Sequence, residues 1–326
     1  MKRALKYLLY LFSFLLLLMA GLMAMHWHSD IPLETLEAKY HYPDSKSIRI
    51  QDMKVHYRDV GEGMPLVLIH GTAASLHTWE GWIDRLSPHF RVIAMDLPAF
   101  GLTGPHPNRD YSMGAYTSFV DAFLQALNID SCHIAGNSLG GQICWNYAIR
   151  YPDRLRKMVL LDASGFEMDK PMPLGFRLAQ NPVTRPLLTR VTPKSLHRSS
   201  LLEVYGDDRK VTEALVDRYF ELMLRPGNRT AFVDRANQLY TGELDKLSTI
   251  TLPTLILWGE EDRWIDLWAG QRFDEELSNA NLIVYPGVGH VPMEEIPEQS
   301  AADVLAFLRP AASEKPPASL TVSTDE

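Results

Sequence analysis

Cysteine is nearly absent from this chain: Cys132 and Cys144 are the only two among 326 residues. That scarcity excludes a disulfide framework. With no C-x-x-C pair and no His/Cys cluster at ligand spacing, it also removes a thiolate metal centre. A bridge between the two is excluded by geometry. Cys132 lies on an expected strand about 20 Å below the turn at Ser138, and Cys144 about 9 Å down the helix that follows, an axial gap of roughly 11 Å that no disulfide spans. Basic charge is short as well. Lys and Arg number 32 against 40 Asp and Glu, for a net charge of -8, and no long basic run occurs. Nucleic acid is thereby removed as a partner, since phosphate binding needs a concentrated Lys/Arg face.

One stretch lacks charge altogether. Tyr7 to Trp27 contains no Asp, Glu, Lys or Arg and is dense in Leu, Phe and Met. Such a run of about 20 residues is long enough to cross a bilayer as a helix. Lys2, Arg3 and Lys6 precede it, which predicts a cytoplasmic start and a body on the translocated, periplasmic or extracytoplasmic side. A cleaved signal peptide is the alternative. It has a shorter apolar region and an A-x-A-like site, whereas Ala20, Gly21 and Ala24 form no such triplet, and no nearby cysteine could accept a lipid. The expectation is an uncleaved anchor over 1–28 that makes the membrane a partner, a tether over 29–46, and a disordered Pro-containing tail over 310–326.

Hydrophobic content of 46% and charged content of 22% suit a globular body with a substantial core. Short apolar runs predict strands at 47–51, 54–59, 66–70, 92–96, 133–136, 158–162, 254–259 and 282–285. Helical patterns at 78–86, 113–127, 139–151, 267–277 and 298–307 fall between the later ones. That alternation predicts an α/β fold, a mostly parallel eight-stranded sheet with helices on both faces and catalytic groups where the strand carboxyl ends emerge. Between 166 and 246 the rhythm breaks. No strand is apparent, helix-like segments lie at 193–205 and 210–224, and Pro226-Gly227-Asn228 signals a turn. We read a helical cap inserted into a core of 47–165 and 247–309.

Within Cys132-His133-Ile134-Ala135-Gly136-Asn137-Ser138-Leu139-Gly140-Gly141 the chain passes from strand through a sharp turn to helix, with a G-x-S-x-G pattern at Gly136, Ser138 and Gly140. A serine on such an elbow is lifted off the sheet edge, at the positive end of the helix that follows. A hydroxyl is a weak nucleophile and needs a base and an orienting carboxylate. Of 11 histidines only His290 lies beyond residue 197, in the loop Gly287-Val288-Gly289-His290. Three acids follow the strand at 254–259. Asp262 is the choice because it is far enough along to turn back toward His290, with Glu260 and Glu261 as solvated alternatives. For the oxyanion hole, Leu139 N–H supplies one donor, and Thr72, or next Ala73, the other. His70 is assigned a structural role. Ala73, Phe166, Met168, Tyr205 and Val291 are candidates for a substrate pocket, to which Met172, Phe176, Phe220 and Met223 could contribute or against which they could simply pack.

These pieces together resemble the α/β-hydrolase fold over about 48–308. The matching motifs are His70-Gly71-Thr72 with Trp79, Asp96-Leu97-Pro98-Ala99-Phe100-Gly101, the serine elbow, Trp258-Gly259-Glu260-Glu261-Asp262 and Gly287-Val288-Gly289-His290. The resemblance implies a Ser138/Asp262/His290 triad under a helical cap. Ala99 departs from it, since the family often has glycine there.

A serine on the elbow excludes the aspartate chemistry of epoxide hydrolases and haloalkane dehalogenases of this fold. The expected reaction is hydrolysis of an apolar or lipid-like carboxylic ester through an acyl-serine, with no cofactor and no metal. An alternative is C–C bond hydrolysis of a vinylogous diketone ring-cleavage product. Such enzymes often resemble Gly136-Asn137-Ser138 and share Asp262-Arg263, but tend to have a glycine-richer loop than Gly71-Thr72-Ala73-Ala74. A binding protein that has lost catalysis is a further alternative, opposed by the presence of all three triad residues.

Overall fold

A computed structural model describes residues 2–238 and 243–309; the expected tail at 310–326 lies outside the described residues. An N-terminal helix α1 (Lys2–Met25) is followed by α2 (Leu33–Tyr40) and the hairpin β1 (Ser45–Ile50) and β2 (Met53–Val60). The chain continues through β3 (Pro65–Ile69), α3 (Glu80–Leu86), β4 (Arg91–Met95), α4 (Met113–Ala126), β5 (Cys132–Asn137), α5 (Leu139–Arg150) and β6 (Leu155–Leu161). After β6 come the cap helices α6 (Leu174–Gln180), α7 (Arg185–Leu188), α8 (Lys194–Val204), α9 (Glu213–Met223) and α10 (Asn228–Ala236). The core closes with β7 (Thr254–Gly259), α11 (Leu267–Glu276), β8 (Ala280–Tyr285), α12 (Pro292–Glu295) and α13 (Pro297–Leu308).

The eight strands form one sheet in the order β1-β2-β4-β3-β5-β6-β7-β8. β1 to β2 and β2 to β4 are antiparallel and every later pairing is parallel. Alternation along each strand feeds two separate cores. Val67, Ile69, Ile93, Met95, Met158 and Leu160 enter one, beneath α4 and α5. Leu66, Leu68, Val92, Ala94, Val159 and Leu161 enter the other, beneath α3 and α13. Burial on both faces explains why these strands read as unbroken apolar runs. Cys132 and Cys144 are free and buried within the first core, and burial pushes the Cys132 thiol up to about 12.

Two expectations for the N-terminal region meet a different outcome. Within 29–46, helix α2 buries Leu36 against Leu102 and Leu222, and Lys39 and Tyr40 both bond Glu221 of the cap. The stretch is docked on the body because its apolar side chains find partners there, a periodicity too short to stand out in sequence. The membrane anchor expected over 1–28 is not shown: among the described residues no helix is long and apolar enough to cross a membrane.

Candidate active site

The candidate triad and oxyanion-hole residues come from four separate loops, after β3, β5, β7 and β8, all at the carboxyl edge of the sheet. β5 delivers Ser138 with φ 53° and ψ -115°, a strained conformation for a residue with a Cβ. The turn is possible because the neighbouring residues are glycines. A Cβ on Gly136 would lie 2.3 Å from the Gly140 carbonyl, and one on Gly140 would lie 2.0 Å from the Ile69 carbonyl oxygen. Leu139 opens α5, so its N–H has no carbonyl within the helix.

β8 leads to His290 and β7 to Asp262. The imidazole Nδ1 lies 2.6 Å from Asp262 Oδ2. A carboxylate can only accept, so Nδ1 carries the proton. Asp262 Oδ1 accepts from the N–H groups of Trp264 (2.7 Å) and Ile265 (3.0 Å), which fixes the carboxylate. Glu260 and Glu261 are exposed and Asp262 is buried. His290 Nε2 is buried with no hydrogen-bond partner among the described residues. It shares a cavity with Ser138, Thr72, Ala73 and Val291.

Several supporting residues were not legible in sequence. Asn137 Nδ2 donates to the His290 carbonyl at 2.9 Å, linking elbow and base loop. Asp162, at the end of β6, lies within 4.8 Å of Asp262 and His290, measured between their polar atoms. Burial, then the adjacent Asp262 charge, raises its carboxyl well above the usual range. Asp162 Oδ1 accepts from Gly259 N–H at 2.9 Å, which ties the end of β6 to the end of β7 beside Asp262. Glu295 accepts from the N–H groups of Gly289 (2.9 Å), Gly206 (3.1 Å) and Asp207 (2.9 Å). Glu294 accepts from Tyr205 Oη at 2.7 Å and from Tyr219 and Thr78. These glutamates stand four and five residues beyond His290, a spacing that in sequence resembles any acidic helix start.

The pocket differs in part from the expected one. Phe166 and Met168 do not line it: both pack on the core, with the Phe166 ring 4.9 Å from that of Phe273. Tyr205 is also outside it, drawn into the buried Glu294 cluster. Aromatic type signalled burial but not which surface each ring covers. Met172 is exposed, Phe220 packs against His28 and His197, and Phe176 and Met223 do line the cavity. The rest of the wall includes Leu188, Leu196, Leu201, Val204, Phe232 and Trp264, with Arg229 the one Lys or Arg among the described residues. His70 is structural. It is fully buried, its Nδ1 lies 2.7 Å from the Gly71 carbonyl oxygen, and its Nε2 accepts from Leu97 N–H at 2.9 Å.

A family model described as alpha/beta hydrolase fold matches residues 64–297. A 2-hydroxymuconate semialdehyde hydrolase of Pseudomonas putida is 30% identical over 267 residues, covering 78% of this chain and 90% of that protein. Among solved structures, a meta-cleavage product hydrolase from Pseudomonas fluorescens superimposes with a TM-score of 0.72 at 29% identity, covering 80% of this chain and 96% of that one. A membrane phospholipase A described as a bacterial virulence factor superimposes with a TM-score of 0.71 at 28% identity, covering 94% of this chain and 98% of that one.

Proposed function

Because this chain belongs to the alpha/beta hydrolase fold family, we propose that it is a serine hydrolase cleaving carboxylic esters with apolar acyl chains. The carrying observation is the cavity. Ser138 and His290 open onto a wall that is mostly aliphatic and aromatic, with Thr192, His197 and Ser200 among its polar members and, among the described residues, no acidic one. Its one guanidinium, Arg229, is already paired with Asp30 at 2.6 Å. Such a wall stabilises a hydrocarbon chain and offers no free charge to a carboxylate.

In this reading Ser138 Oγ attacks the ester carbonyl while His290 Nε2 takes its proton. The N–H groups of Thr72 and Leu139 hold the developing oxyanion. His290 then protonates the leaving alcohol, and a water activated the same way releases the acid from the acyl-serine. Asp262 stabilises the imidazolium throughout.

The second reading is C–C bond hydrolysis of a ring-cleavage product. Kinship in sequence weighs toward it more than toward ester cleavage, since the Pseudomonas putida relative is named for that class of substrate, and Asn137 precedes the serine as it often does there. One assay separates the two. Purified protein is given aryl esters of graded acyl length beside a 2-hydroxy-6-oxo-dienoate. Turnover that rises with acyl length supports the ester reading; turnover of the dienoate with none of the esters replaces it.

The same reading includes membrane contact through α1. Leu8, Leu11, Phe12, Phe14, Leu15 and Leu17 are each more than half exposed, an apolar surface that water does not favour and that no other element covers among the described residues. The likeness to the membrane phospholipase leaves uncovered a share of the chain shorter than α1, so it extends into that helix. A chain lacking 2–24 is expected in the soluble fraction with full activity. Its retention in a washed membrane pellet, without aggregation, overturns this part.

A further inference from the structure

The segment that follows α1 is part of the cap. Thr192 N–H donates to the His26 carbonyl and His28 N–H to the Arg190 carbonyl, both at 3.0 Å, with Trp27 bridging Val191 between them. Ile31 N–H then donates to the Leu224 carbonyl at 2.8 Å. This short ladder fixes the register in which Asp30 reaches Arg229, across a sequence separation of 199 residues.

Arg229 is 4% exposed and lines the substrate cavity. One terminal nitrogen, Nη1, donates to the Arg190 carbonyl at 3.2 Å and to Thr192 Oγ1 at 3.3 Å; the other, Nη2, donates to Asp30 Oδ1 at 2.6 Å. The Asp30 side chain is 33% exposed, so it stands outside the cavity and acts on it through the guanidinium. His197 adds no charge at neutral pH, because burial lowers it to about 4. A lone guanidinium in this apolar wall would recruit an anion to offset its lost hydration. With Asp30 bound, an incoming carboxylate meets a neutral pair whose outer member is negative.

Resting on the ester-hydrolase reading, we infer that Asp30 is a specificity-determining residue: from the strap after α1 it neutralises Arg229, so the cavity accepts uncharged acyl tails and refuses anionic ones. Selectivity here comes from an element outside the cavity, and removing one carboxylate should convert the wall into an anion-binding one.

The test compares two aryl esters of equal acyl length, one ending in methyl and one in carboxylate, as the ratio of their kcat/KM values. Wild type is expected to favour the methyl-ended ester. Asp30→Asn should move the ratio toward the carboxylate-ended ester by about tenfold, and Asp30→Asn combined with Arg229→Met should bring it back, since a freed charge is then absent. An unchanged ratio in Asp30→Asn, or a shift that persists in the double variant, overturns the inference. Should Asp30→Asn fail to fold, Arg229→Met with the strap intact decides: a ratio near that of wild type supports neutralisation, and a selective loss of the carboxylate-ended ester shows that Arg229 already serves anions. If wild type cleaves neither ester, the ester reading fails by itself. Calorimetric binding of dodecanoate against dodecanol, in Ser138→Ala with and without Asp30→Asn, then tests Asp30 separately. Tightening confined to dodecanoate supports it and equal affinities overturn it.

Discussion

The backbone N–H of His290 donates to the carbonyl oxygen of Val204 at 2.7 Å. Val204 is the last residue of α8, so an otherwise unpartnered helix-terminal carbonyl is satisfied by the proposed catalytic base. Glu295 makes the link double, holding Gly289 on one side and Gly206 and Asp207 on the other. Cap and base loop are thus one hydrogen-bonded unit, and the position of the imidazole depends on where the cap sits.

Glu295→Gln keeps the side-chain volume but turns one acceptor oxygen into a donor facing backbone N–H groups. Stability should fall by about 1–3 kcal/mol, the cost of stranding buried donors. Turnover should fall by about tenfold, because a small displacement of the base is costly. Urea melts and steady-state kinetics measure the two; a variant matching wild type in both would show that the base loop is held by other contacts.

Within the triad, Ser138→Ala should abolish turnover. Asp262→Asn should lower kcat by about 10³–10⁴-fold, because the amide can donate to Nδ1 and so favour the wrong imidazole tautomer. Circular dichroism should show both variants folded. Near-normal rates in either would remove that residue from the reaction.

Ala99 keeps the loop conformation for which the family often uses glycine. Its φ is 89° and it is fully buried, with its N–H donating to the Gly104 carbonyl at 2.7 Å. Positive φ strains a residue with a Cβ by roughly 1–3 kcal/mol, whereas glycine loses about 0.5–1 kcal/mol in chain entropy on ordering. Ala99→Gly is therefore expected to stabilise the protein by about 1 kcal/mol, read as a higher urea midpoint at unchanged slope.

Burial lowers His77, His133 and His197 to about 4 from an ordinary 6.5. Between those values the unfolded chain binds protons that the folded one refuses. The stabilisation they give is complete above about pH 6.5 and is lost as pH falls toward about 4, on the order of 3 kcal/mol per group. His133 stands edge-on to Phe90, with ring centroids 6.0 Å apart. His133→Phe should flatten the fall of Tm across this window while changing it little at pH 8. An equally steep fall in the variant would assign the acid sensitivity to other groups.

Much of the fold was legible because its signals are local. The short apolar run of β7, buried on both faces, gave the same bounds in sequence and in structure, 254–259. Gly136 and Gly140 announced the elbow around Ser138 because a Cβ at either would collide with backbone, and Asp262 and His290 followed as candidates from their places after successive strands. The cap helices α6, α7 and α10, and the docked α2, were not read, since their apolar faces are short and take shape only against one another. The same limit applied to the pocket. Composition marked Phe166, Met168 and Tyr205 as apolar or aromatic, but whether such a side chain faces a cavity or a core is set by neighbours far away in the chain. The sequence by itself determined the succession of strands along the chain and the three candidate catalytic side chains, because those depend on spacing and residue type. Only the tertiary structure decided that Asp162 stands against Asp262, that Glu295 joins cap to base and that Asp30 meets Arg229, because each is a contact between segments whose approach no local pattern encodes.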